Sequence, residues 1–241
     1  MITAAAVVPS PPLLARELTG RQVVLPELRE ACAVAVGRLL AGSADVVAVV
    51  GAGPRTTAWD SGARLNLLAW GPMARGARGE TAAAGETAAP GKPGLPLALG
   101  IGAALLDEAG YAGPRVLRAI DGSASAADCL AAGAEIASLG ERVALLAVGD
   151  GSARCTPAAP GYFDERAEGF TACADAALRS GDMAALAALD ASLAAELMAT
   201  GRAAWQVLAG AVGPRRRAPG DVLYAGAPFG VAYLVAVLDL A

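Results

Sequence analysis

Asp150 stands between two glycines, in Gly149-Asp150-Gly151-Ser152, immediately after an apolar run. A carboxylate in that setting either faces a cleft, where it can move a proton, or caps a turn by accepting backbone N–H groups. Cys155 follows five residues later, with Ser152 between them, so one segment offers a carboxylate, a hydroxyl and a thiol. The thiol is a nucleophile only where its surroundings favour the thiolate; elsewhere it is a small hydrophobe. Ser10, in Pro9-Ser10-Pro11-Pro12, has prolines on both sides, which suits a rigidly placed site residue and a turn serine equally. Ser10, Asp150, Ser152 and Cys155 are the candidate cleft residues.

What is missing narrows the chemistry further. The 241 residues include no histidine. Ser-His-Asp and Cys-His arrangements are excluded, as is an iron site of two histidines and one carboxylate. Acid–base work falls to Asp, Glu, Cys, Tyr or the single lysine, Lys92. An all-oxygen magnesium or calcium site is compatible with the composition, but no DxDxD-like cluster supports one. Gly51-Ala52-Gly53-Pro54 begins like a dinucleotide fingerprint and fails at the third glycine, and Pro54 spoils the helix opening. Gly91-Lys92 is followed by Pro93, where a P-loop needs Ser or Thr. Cys32, Cys129, Cys155 and Cys173 fit no zinc spacing and are expected to be reduced.

The elements that must position these residues alternate. Apolar runs at 2–8, 45–50, 115–120 and 142–148 read as buried strands, with further strands at 65–70 and 229–238. Helical spacing covers 27–40, 95–109, 125–139 and most of 164–212. Ser125, Asp182 and Asp190 serve as caps, with breaks near Gly181 and Gly201. Residues 73–94 are Gly-, Ala- and Pro-rich without periodicity and read as a flexible loop. The pattern predicts one α/β domain over 1–241, a central mixed sheet with helices on both faces. Three runs end in small-residue loops, at Pro9-Ser10-Pro11, Gly51-Ala52-Gly53 and Gly149-Asp150-Gly151, and sites in open α/β sheets form beyond strand carboxyl ends. A cleft lined by these loops is the expected site.

Charge and hydropathy bound the partners. The net charge is −4, so no general basic surface exists to hold a phosphate backbone, and Arg215-Arg216-Arg217 reads as a solvated loop between prolines. The late uncharged stretch from Val222 to Leu238 is interrupted by Gly226, Pro228 and Gly230 and is short for a membrane span. The start, Met1-Ile2-Thr3-Ala4, lacks the basic opening of a signal peptide. The expectation is a cytoplasmic protein that binds neither nucleic acid nor membrane.

Taken in order, these segments resemble the LigB-type, class III extradiol ring-cleavage dioxygenase superfamily, which includes Memo-like proteins. Val7 to Leu14 resembles its opening Pro-His-Pro-Pro-Leu-Leu, and Val46 to Pro54 the segment that presents a second histidine. Gly149 to Ala153 resembles Gly-Asp-Leu-Ser-His. Pro160-Gly161-Tyr162, Gly181-Asp182 and Leu189-Asp190 follow in family order, and Ala227 to Tyr233 resembles the closing Gly-Val-Gly-Tyr strand. The resemblance spans nearly the whole chain.

It implies a family that binds Fe(II) through two histidines and a third ligand and opens catechol-type rings with O2. In this chain Ser10 stands at the first ligand, Ala52 or Gly53 at the second, and Ala153 at the cleft histidine. A serine hydroxyl does not replace imidazole for Fe(II). The resemblance therefore implies a degenerate metal site, no cofactor, and a protein silent as an iron dioxygenase. Its fold would serve to bind a small molecule, a second copy or a homologous catalytic subunit. The alternative is an enzyme of different, non-iron chemistry using Asp150, Ser10 and Cys155 in the same cleft.

Overall fold

A computed structural model describes residues 1–19, 24–63, 65, 94–215 and 217–240. The chain opens with β1 (Ile2–Val8), a 3-10 turn at Pro12–Leu14 and the short α1 (Arg16–Thr19), then α2 (Pro26–Ala41), β2 (Val46–Gly53) and β3 (Thr57–Trp59). After the undescribed stretch come α3 (Leu97–Glu108), β4 (Arg115–Asp121), α4 (Ala126–Ala137) and β5 (Val143–Val148). Four helices follow: α5 (Arg166–Ser180), α6 (Met183–Ala187), α7 (Ala191–Glu196) and α8 (Arg202–Val212). A hairpin of β6 (Asp221–Gly226) and β7 (Tyr233–Asp239) closes the fold.

These strands form one mixed sheet in the order β3-β4-β2-β5-β1-β7-β6. The four central strands are parallel, and β3, β7 and β6 add antiparallel pairs at the flanks. β5 is apolar and buried at all six positions because it lies between β1 and β2 and carries helices on both faces. One layer packs α4 to α8 against alternate strand residues such as Val7, Val50, Leu145 and Ala147. The other packs α2 and α3 against the intervening set, including Val8, Val49, Leu146 and Val148. The expected α/β fold with both faces covered is what forms.

With few aromatics to fill it, the core closes by letting backbones approach. Helices α4 and α8 cross at two glycines: a Cβ on Gly133 would lie 2.5 Å from Ala211 N, and one on Gly210 would lie 2.6 Å from Leu130 Cα. Gly210→Ala is expected to destabilise the fold by about 2 kcal/mol through overpacking, read as a lower urea midpoint at unchanged slope.

Several local expectations meet corrections. Ser125, Asp182 and Asp190 cap as read, accepting from Asp128 N, Ala185 N and Leu193 N. The strand read at 65–70 falls outside the described residues except Leu65, which bridges to Leu95. The loop read at 73–94 lies outside them except at Gly94, as does Lys92. The final strand begins at Tyr233 rather than 229, because Gly230 turns the chain at φ +75°. β6 precedes it where part of a turn was expected. Among the described residues no helix is long and apolar enough to cross a membrane.

Candidate functional site

Register brings the three loops to one edge. Val8 and Gly51 both pair with Val148, so the ends of β1 and β2 flank the end of β5, two strand spacings or about 10 Å apart. Ser10, Ala52-Gly53 and Asp150 follow directly from those paired residues.

Ser10 and Asp150 are in contact. The Ser10 backbone N–H donates to Asp150 Oδ1 at 2.7 Å, and the Ser10 hydroxyl donates to Oδ2 at 3.3 Å. The backbone of Asp150 is fixed from the other side: its N–H donates to Thr200 Oγ1 at 3.1 Å, and Gly201 N–H donates to its carbonyl at 2.7 Å. This docking needs Gly149, where a Cβ would lie 2.5 Å from Gly201 Cα. Burial pushes the Asp150 carboxyl up to about 6 against the pull of Ser10's two hydrogen bonds. A carboxyl in that range is poised for proton exchange near neutral pH, but it is too weak a base to ionise the Ser10 hydroxyl.

Tyr233, the first residue of β7, completes the group and was not singled out in the sequence. It is buried, and its hydroxyl is pushed up to about 12 by burial, by the charge of Asp150 and by Tyr224. Its position at the head of an apolar strand reads as core; only the pairing of β7 with β1 brings it beside Asp150.

The other candidates separate. Ser152 is fully buried, its hydroxyl donating to Leu197 O at 2.9 Å and accepting from Arg154 N at 3.1 Å. It staples the loop to the end of α7 and cannot face a ligand. The Cys155 thiol donates to Ser152 O at 3.4 Å. Burial raises its pKa, so the thiol form dominates and it is a poor nucleophile. Ala153 donates its N–H to Leu197 O and accepts from Gly161 N. The loop therefore pairs with the C-cap of α7 at Ala153, the position that the resemblance aligned with a cleft histidine.

Ala52 and Gly53 point to opposite faces of the sheet. Ala52 continues the side of Ala48 and Val50, under α4 and α8. Gly53 continues that of Gly51, the side of Ala98, Ala119 and Tyr233. On that side the space is filled: a Cβ on Gly51 would lie 2.5 Å from Ala98 Cβ, and one on Gly53 would lie 2.8 Å from Ala119 Cβ and 3.3 Å from Pro96 Cγ. The start of α3 closes the β2 end of the edge.

An Fe(II) centre of the family's kind does not fit these side chains. Both Asp150 oxygens are engaged by Ser10, and Ala52, Gly53 and Ala153 offer no side-chain donor. Among the described residues no group of three or more Cys, Asp or Glu is gathered to hold a metal ion.

No protein-family model matches the chain, and no curated protein matches it. Among solved structures it is similar to an uncharacterized protein, JW3007, from Escherichia coli K12. That match covers 98% of this chain and 99% of the other at 14% identity, with a TM-score of 0.54. What is shared is the fold. The similarity covers nearly the whole of both chains.

Proposed function

We propose that this chain is a LigB-like, extradiol-dioxygenase-fold protein that has lost the iron site and acts without ring cleavage, as a binding or partner subunit. The observation that supports it most is the state of the edge. The loops that resemble ligand-bearing segments converge there, yet the one carboxylate is tied to Ser10 and the β2 side is closed by α3. Asp150, bonded to Ser10, and the buried Tyr233 offer hydrogen-bonding groups rather than the ligand set of a redox metal. The chemistry alternative loses Cys155, whose thiol is turned into the loop.

Anaerobic incubation with Fe(II), desalting and elemental analysis provide the test. The expected result is well under one iron per chain and no ring-cleavage product with catechol substrates; one tightly held iron, or product, refutes the reading. A sharper form follows from the faces of β2. Ser10→His with Ala52→His is expected to leave iron retention unchanged, because position 52 points to the other side of the sheet. Gly53→His points the right way but is expected to cost about 2 kcal/mol by overpacking against Ala119 and Pro96. Stoichiometric iron in the first variant would show that the edge is more open than this packing allows.

A further inference from the structure

Among the described residues, the loop after β5 and the β6–β7 turn carry the most exposed aromatic side chains. Tyr162 is 77% exposed, Phe163 56% and Phe229 48%, with Met198 at 50%. They are neighbours in the fold. A Cβ on Gly161 would lie 2.7 Å from Met198 Sδ, Tyr162 N–H donates to Ala159 O, and a Cβ on Gly230, next to Phe229, would lie 2.5 Å from Ala159 Cβ. Pro157 and Pro160 are exposed on the same loop, and Cys155 to Phe163 contains no charged residue.

The loop is also rigid. Arg154 Nε donates to Gly161 O at 2.7 Å and Arg154 Nη1 to Glu196 O at 2.8 Å, while Asp164 N–H donates to Arg154 O. A surface held in one shape loses little entropy on association.

We propose that this surface is the interface of a two-fold homodimer. Area is the first argument. At about 200 Å² for each large side chain, the four exposed residues supply roughly 450 Å² of apolar surface, over half of the ~800 Å² per partner of a stable interface, before the prolines are added. Charge is the second. The rim consists of Asp164 and Glu196 with Arg154 and Arg166, joined by ion pairs of 2.7 to 3.8 Å. With exposed Glu165 between Asp164 and Arg166, the rim carries both signs and can pair them with its own two-fold image. It lacks the basic bias that an anionic membrane would select. The loop lies beside Asp150, since Gly151 N–H donates to Ala232 O and Cys155 N–H to Gly230 O. The dimer seam therefore borders the candidate site, although the seam does not depend on whether that site is silent.

Light scattering coupled to size-exclusion chromatography on the whole chain tests this. The wild type is expected at twice its 23.7 kDa chain mass. Phe163→Asp with Phe229→Asp is expected to halve that mass, as is Tyr162→Ser with Phe163→Ser, which removes area without adding charge. Leu139→Asp, at an exposed leucine in a different part of the fold, is expected to keep the dimer. Far-UV circular dichroism and the melting transition establish that each variant is folded. A monomeric wild type at the highest attainable concentration overturns the proposal, whether or not that monomer binds phosphatidylcholine vesicles. So does a dimer that survives both double substitutions in folded protein.

Discussion

Arg202→Met is expected to lower stability by about 4 kcal/mol, because it strips charge-assisted partners from two part-buried carbonyls and the buried Gln206 Oε1 at once. In a chain of this size that corresponds to a fall of roughly 10 °C in Tm, checked by thermal unfolding. Arg202 is 1% exposed, yet its guanidinium is surrounded by neutral acceptors. Nη2 donates to Gly122 O at 2.6 Å, and Nη1 donates to Ala124 O at 2.6 Å and Gln206 Oε1 at 2.9 Å. Gln206, also fully buried, passes the link on through Nε2 to Ala187 O and Leu189 O. One cation thus ties the loop after β4 to α8 and the α6–α7 corner. The end of β4 feels its charge as well: Ser123's hydrogen bonds, and after them Arg202, hold the Asp121 carboxyl below its usual range. Arg202→Lys keeps the charge but not the fork and is expected to recover less than half of the loss. Because Thr200 and Gly201, just before Arg202, hold the backbone of Asp150, the clamp also supports the candidate site.

Asp150→Asn is expected to act in the opposite direction, stabilising the protein at pH 8 by about 2–3 kcal/mol. Burial raises the folded-state carboxyl to about 6, so the folded protein holds this proton more tightly than the unfolded chain does. The contribution of Asp150 to stability is therefore fully present below pH ~4, the unfolded value, and is lost as pH rises through about 6. Asparagine does not titrate, and its carbonyl oxygen can still accept from Ser10 N–H. The comparison is denaturant unfolding of both proteins between pH 4 and 8. The gap should open between pH 4 and 6 and stay constant above. A wild type at least as stable as the variant at pH 8 would show that Ser10 compensates the burial of the charge.

The residues differ in how far the sequence exposes their roles. β5 and its Gly149-Asp150-Gly151 terminus are legible because six apolar residues bounded by glycine have few other readings. The common edge of the Ser10, Ala52 and Asp150 loops follows from a general property of α/β sheets. β3 is not legible: three residues, Thr57–Trp59, are too few for a period. β6 is half-buried at most positions and follows a Pro-Gly pair, so it reads as turn. The choice between Ala52 and Gly53 is a question of strand parity, which only the pairing register decides. Ser152 looks like a cleft hydroxyl until Leu197 is brought beside it from 45 residues away. Arg202 and Tyr233 carry ordinary sequence surroundings, and their roles arise from partners contributed by other elements.

The place of β1 in the sheet bears on how the molecule is made. Ala4 pairs with Ala144 on one side and with Asp239 on the other. β1 thus precedes both of its neighbours in sequence, β5 and, after four more helices and β6, β7. Until both arrive, Ile2–Val8 is an apolar strand with two open edges, the configuration most prone to pairing with the wrong chain. Such distant pairings also slow folding, because long loops must close before any contact rewards them. β1, buried at all but one position in the finished sheet, is the strand whose second neighbour comes last in sequence.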